Sequence, residues 1–261
     1  MFLGAFNGIA GAPGLGQQRY TPPVRTVPQN LSGTGAVLIT FDDGTSDAYT
    51  LTYPLFAAHN IPATCYINSG TVGGASVLTP SMMRELDAAG WCMANHTRDH
   101  LDLTTLSQAL QQSQIQKTVD DLTAWGVPDG ALHVAYPFGS YNADTLAAME
   151  DVSALSGRGV AFDEQFSLPL EDMHQIPAVR IRADTTLATA KGYIDTALAN
   201  DTICCFYMHV IKSEGELDTY DWAYDDLAAL VDYIVQTNIP VLTIADLYAV
   251  QSGARVIRQQ Y

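Results

Sequence analysis

Basic charge is scarce in this chain. Lysine occurs only at Lys117, Lys191 and Lys212, and twelve Lys and Arg residues face twenty-eight Asp and Glu, a formal net charge of −16. Nucleic-acid and anionic-membrane surfaces are built from cationic patches, so the balance argues against both partners. Long apolar runs are missing as well. No stretch reaches the length of a membrane span, and the N-terminus lacks the basic start and continuous apolar segment of a secretory signal. The expectation is a protein not inserted in a membrane that reaches the cell exterior, or a virion or other surface assembly, by another route; the cytoplasm is the alternative. Cysteine is sparse too. Cys65, Cys92, Cys204 and Cys205 show no metal-type spacing and three lie in apolar runs, which predicts buried thiols, with a Cys65–Cys92 bridge between neighbouring strands as the alternative. Glutamate is far rarer than aspartate, a bias that fits work in high salt, where screening quiets self-repulsion, or simply an acidic surface.

With 261 residues the chain suits one large α/β domain. Residues 1–33, rich in Gly, Pro, Gln and Thr, cannot form a core of their own. They are expected to be an extension pinned against the domain, a sister subunit or a larger assembly, with the folded domain spanning 34–261. From there apolar strands alternate with helices. Strands are predicted at 37–41, 63–68, 91–94, 132–136, 159–162, 179–181, 202–208 and 240–244, and helices at 46–59, 79–90, 107–125, 142–151, 186–199 and 222–237. Such alternation implies a parallel sheet, and seven or so repeats suit a barrel.

What is present is chemistry at strand ends. The apolar run Val37-Leu38-Ile39-Thr40-Phe41 stops at Asp42-Asp43-Gly44; another strand leads into Asn95-His96, a third into Tyr136-Pro137-Phe138-Gly139, a fourth into Met208-His209. Carboxylates capping a buried strand need a cation, a partner or a proton to hold. In a parallel β/α barrel such ends converge on one face. His96-Thr97-Arg98-Asp99-His100 spaces two imidazoles four residues apart, which on a helical turn would share one face. Together with a carboxylate they make a three-ligand set for a divalent ion such as Zn2+.

These motifs, Thr40-Phe41-Asp42-Asp43-Gly44, His96-Thr97-x-x-His100, Tyr136-Pro137-Phe138-Gly139 and Met208-His209, resemble the polysaccharide deacetylase family, also called the chitooligosaccharide deacetylase homology domain. The resemblance spans most of 36–248. It implies a distorted (β/α)7-type barrel and metal-dependent removal of acetyl groups from an N-acetylated glycan. Residue by residue it implies Asp42 as general base, Asp43, His96 and His100 as metal ligands, His209 as general acid, and a backbone N–H at Phe138 as oxyanion donor. Many relatives carry an arginine two residues before the proline of the third motif, where this chain has Ala135. Arg180 is the expected substitute on the base, with Arg182 second; Asp246 or Asp184 would orient His209.

Tyr136, Tyr141 and Trp222 are the candidates for stacking on sugar, with packing as the competing reading. Residues 213–220, rich in Glu and Asp, read as a flexible loop over the barrel mouth, a candidate gate. His59, His133 and His174 fit no constellation and are read as structural or solvated. The competing functions are hydrolysis of a small amide on the same barrel, and a glycan-binding or structural module of a virion or surface assembly.

Overall fold

The computed structural model describes residue 31 and residues 33–160 and 164–253. The expected packing of the N-terminal extension therefore lies almost entirely outside the described residues.

The centre of the molecule is β1 (Ala36–Phe41), buried along its whole length. Its sequence is continuously apolar because both faces are covered, as parallel strands require. Around it lie β5 (Ser156–Arg158), β4 (Gly130–Ala135), β3 (Cys92–Asn95), β2 (Thr64–Ile67), β1, β7 (Ile203–Met208) and β6 (Val179–Arg180), side by side in that order. All of these pairings are parallel. The short β10 (Val241–Leu242) pairs with β1 at Val37 and Leu38, below the point where β2 takes over at Thr40 and Phe41.

Residues 173–180 join the two edges. Gly157 N donates to Met173 O and Ile176 N to Gly157 O, both at 2.8 Å; Val179 and Arg180 then pair with Phe206 and Tyr207 of β7. The curled sheet is thereby closed into a distorted (β/α)7-type barrel. Its fifth strand comes earlier than the expected 159–162, because Ser156, Gly157 and Arg158 carry none of the apolar pattern that marks a strand.

Helices α1 (Tyr53–Ala58), α2 (Pro80–Ala88), α3 (Gln108–Ala124), α4 (Ala143–Asp151), α5 (Leu187–Asn200) and α6 (Tyr224–Thr237) follow their strands. A π-helical segment, Ala48–Thr52, opens into α1. The caps are local: Thr79 accepts from Met82 N with Pro80 in the first turn, and Asn142 with Thr145 forms a capping box. Alternation along β1 sends Val37, Ile39 and Phe41 outward to Phe56, Trp91 and Leu230, and Leu38 inward to Tyr66, Ala94 and Cys205. Cys65 belongs to the outer cluster and Cys92 to the inner one, so the two thiols point to opposite faces and are not bridged.

An unexpected seventh helix, α7 (Ile244–Ser252), packs Ile244 and Leu247 into the inner cluster and floors the barrel. Asp246 begins it, accepting from Thr243 N at 2.8 Å and Thr243 Oγ1 at 2.7 Å. Asp246, expected as one of two candidates to orient His209, is buried in the capping box of this helix. A small parallel ribbon, β8 (Val210–Lys212) with β9 (Asp221–Ala223), follows β7. Among the described residues no helix is long and apolar enough to cross a membrane.

Candidate active site

At the end of β1 the backbone turns left-handed twice, at Asp43 (φ 67°) and Gly44 (φ 64°). The turn separates two adjacent carboxylates. Asp42 continues the inward alternation and is buried, while Asp43 is carried to the rim. Gly44 is needed here because a Cβ would stand 3.1 Å from Ile67 Cδ1 in a left-handed conformation that side chains rarely adopt.

Asp43, His96 and His100 meet on this rim. Asp43 Oδ1 lies 3.7 Å from His96 Nε2 and 3.5 Å from His100 Nε2, and the three donor atoms fall within 4.8 Å of one another. Two donors about 2.1 Å from a tetrahedral ion stand about 3.4 Å apart, close to the two separations measured from Asp43 Oδ1. The histidines do not achieve this through a helical turn, as their spacing suggests. Residues 96–100 are irregular, with φ of 62° at Thr97 and 51° at His100, and the rings stand edge to face with centroids 4.8 Å apart.

The surroundings orient each donor. His96 Nδ1 is 2.9 Å from Ala135 O, which assigns the proton to Nδ1 and leaves Nε2 as a lone-pair donor facing Asp43. Burial lowers the His96 pKa in spite of the two aspartates, so the ring is kept neutral and able to ligate. Asn68, at the end of β2, donates from Nδ2 to Asp43 Oδ1 at 3.0 Å.

Beneath the rim, Arg158 Nη2 donates to both oxygens of Asp42, at 2.7 and 2.6 Å. The guanidinium lies 5.0 Å from the ring centroids of both Tyr66 and Tyr207 and is almost completely buried. Burial alone would raise the Asp42 pKa; Arg158, with His96 and His209 nearby, outweighs it and holds the carboxyl below its usual range. Asp42 is thus an ionised carboxylate within the barrel, next to three candidate metal ligands. His209 follows β7, which pairs with β1 to its end, and its ring centroid is 5.0 Å from that of Tyr220.

A sequence profile described as polysaccharide deacetylase matches residues 30–154. That match takes in just under half of the chain, and over it the chain is similar to polysaccharide deacetylases. It is 29% identical over 125 residues to the chitooligosaccharide deacetylase of Sinorhizobium fredii (strain NBRC 101917 / NGR234), covering 47% of this chain and 56% of that protein. It is 26% identical over 163 residues to the poly-beta-1,6-N-acetyl-D-glucosamine N-deacetylase of Staphylococcus aureus (strain MSSA476), covering 57% of this chain and 55% of that one. The chain thus spans just over half the length of these relatives. The fold is similar to that of the family 4 carbohydrate esterase from Streptomyces lividans, with a TM-score of 0.50 at 21% identity over 78% of this chain and 87% of that one.

Within this barrel several expected residues stand elsewhere than expected. Arg158, not Arg180, makes the two short contacts to Asp42; Arg180 sits on β6 in register with Tyr207. Arg182 pairs with Asp184 at 2.8 and 2.7 Å, so Asp184 is occupied away from His209. Trp222 is buried and donates from Nε1 to Thr185 O, and Tyr136 is buried with its hydroxyl on His174 O. Neither ring can stack on a sugar. Tyr141 packs against Tyr136 and donates to Gln175 Oε1.

Phe138 is 65% exposed, with φ 59° and its ring centroid 4.7 Å from that of His100. A left-handed phenylalanine is strained, and Gly139 behind it leaves room for Val160, whose Cγ2 a Cβ would meet at 2.2 Å. Residues 213–220, expected to be a loose gate, are tied to the barrel. Lys212 Nζ reaches Asp221 at 2.6 Å and Asp218 at 3.3 Å, and Ala183 N donates to Thr219 O at 3.4 Å.

Sequence reasoning missed Arg158, Asn68 and Tyr220. Only the first had a signal, an arginine between two glycines in a chain poor in basic residues.

Proposed function

We propose that this chain is a metal-dependent hydrolase that removes acetyl groups from an N-acetylated glycan, with residues 34–261 as its catalytic domain. The reading rests above all on the juxtaposition of a His-His-Asp donor set with a separate, ionised, arginine-held carboxylate. Asp43, His96 and His100 would hold the ion, and two imidazoles with one carboxylate favour Zn2+. When bound, such an ion polarises the acetyl carbonyl and acidifies water.

The remaining work belongs to the protein. Asp42, kept anionic by Arg158, accepts a proton on a carboxylate oxygen as water attacks the amide carbon. A base reserved for proton transfer must stay apart from the ligands, and the left-handed turn at Asp43 provides that separation. Phe138 N–H, in the strained turn after β4, is the proposed second donor to the developing oxyanion. His209 delivers a proton to the leaving nitrogen. Asp42 and His209 thus divide the roles of base and acid.

Related proteins named for chitooligosaccharide and poly-N-acetylglucosamine deacetylation support an amino-sugar polymer as substrate. The test is bound metal and acetate release from N-acetylglucosamine oligomers, in the wild type, Asp42→Ala and His96→Ala. Acetate release is expected to vanish in both variants and metal to be lost mainly in His96→Ala. Undiminished acetate from Asp42→Ala, or zinc-treated wild type that retains no ion, would overturn the assignment.

A further inference from the structure

Among the described residues, the two most solvent-exposed aromatic rings near the reactive groups stand at opposite flanks of them. Phe138, 65% exposed, follows β4 and lies against His100; Tyr220, 57% exposed, precedes β9 and lies against His209. Between them on the rim come the ends of β3, β2 and β1, with His96, Asn68, Asp43 and Asp42. The fold gains little from an aromatic ring left in water, so each of these two rings is free to present its face to a ligand beside the reactive groups.

Tyr220 is held in position by its neighbours. Lys212 Nζ pairs with Asp221 and Asp218 and also donates to Glu216 O at 3.2 Å; Asp218 N donates to Asp221 Oδ2 at 2.7 Å. On the other side Ala183 N reaches Thr219 O, and Trp222 Nε1 reaches Thr185 O at 2.9 Å. One of the three lysines in the chain is spent on this clasp. A ring fixed before the ligand arrives loses little freedom on binding, which is how a platform contributes affinity.

We infer that Tyr220 is a stacking platform for a sugar adjoining the acetylated one, so that the site takes a glycan of at least two residues laid across the rim from Phe138 to Tyr220. The inference rests on the deacetylase reading for the position of the acetylated sugar. The apolar face of a pyranose ring packs on Tyr220 while its hydroxyls stay in water, an arrangement that suits an uncharged amino-sugar chain.

The experiment measures equilibrium binding and acetate release for N-acetylglucosamine oligomers of one to five units, with the wild type, Tyr220→Ala and Tyr220→Phe. Tyr220→Ala should weaken tetramer binding about 10-fold, the scale of one lost aromatic stack, and leave the monosaccharide unchanged. Tyr220→Phe should bind as the wild type does, since the ring and not the hydroxyl does the stacking. Unchanged tetramer binding by Tyr220→Ala would overturn the inference, as would an equal loss for monosaccharide and tetramer. If Tyr220-dependent binding appears without acetate release, the platform stands and the hydrolase reading falls. If the wild type binds no oligomer, both fall.

Discussion

His133 is the group whose titration should be most visible in the stability of this protein. It lies on β4 inside the barrel, 2% exposed, with Nδ1 2.8 Å from Ser156 Oγ and its ring edge-to-face with Tyr248 of the floor helix. Burial pushes its pKa down to about 4. In the unfolded chain the ring titrates near 6.5, so between the two values the unfolded state binds a proton that the folded state refuses. Stability must therefore fall as pH drops through 6.5 toward 4.

A separation of about 2.5 pKa units corresponds to roughly 3 kcal/mol once both states are protonated, of which roughly 2 kcal/mol is lost between pH 7 and pH 5. For a domain of this size that is about 4–8 °C in melting temperature. His96 is shifted in the same sense and adds to the wild-type slope, whereas Asp42, also lowered, contributes only as pH falls further, through the ordinary carboxylate range. The comparison with His133→Gln, whose amide can still bond Ser156 but carries no proton equilibrium, isolates the term. Urea unfolding at pH 7, 6 and 5 should show the variant gaining on the wild type by roughly 2 kcal/mol across that range. Parallel curves, with a difference independent of pH, would refute the reasoning.

Two further outcomes test the site. Arg158→Leu leaves the Asp42 carboxylate buried without its cation and should cost about 3–5 kcal/mol in urea unfolding, whereas adding Asp42→Leu should recover most of the loss, because the stranded charge and not the missing contact is the penalty. Asn68→Ala removes the N–H that fixes Asp43 Oδ1 and should weaken metal binding by about 10- to 100-fold in a chelator competition, with the circular dichroism spectrum unchanged; unchanged affinity would deny Asn68 any orienting role.

The alternation of apolar strands with capped helices was legible in the sequence because both signals are local. Val37–Phe41 and Ile203–Met208 are continuously apolar, and the caps at Thr79 and Asn142 lie within three residues of what they cap. The pairing of Asp42-Asp43 with His96 and His100 was also legible, since motifs at the ends of parallel strands must share one face. The third partner on that face was not. Arg158 reaches Asp42 across 116 residues, from a strand too short and too polar to announce itself, and only closure of the barrel by residues 173–180 makes the two neighbours.

The aromatics show the same division. Tyr136, Trp222 and Tyr220 look alike in sequence as rings near motifs, yet packing buries the first two and leaves the third in water beside His209. The sequence by itself determined which side chains arrive at the strand ends, because alternation and capping depend on residues a few positions apart. Which of them face one another, and which face solvent, was decided only by the tertiary structure, because ion pairing and burial depend on groups that are distant along the chain and adjacent only once the sheet has closed.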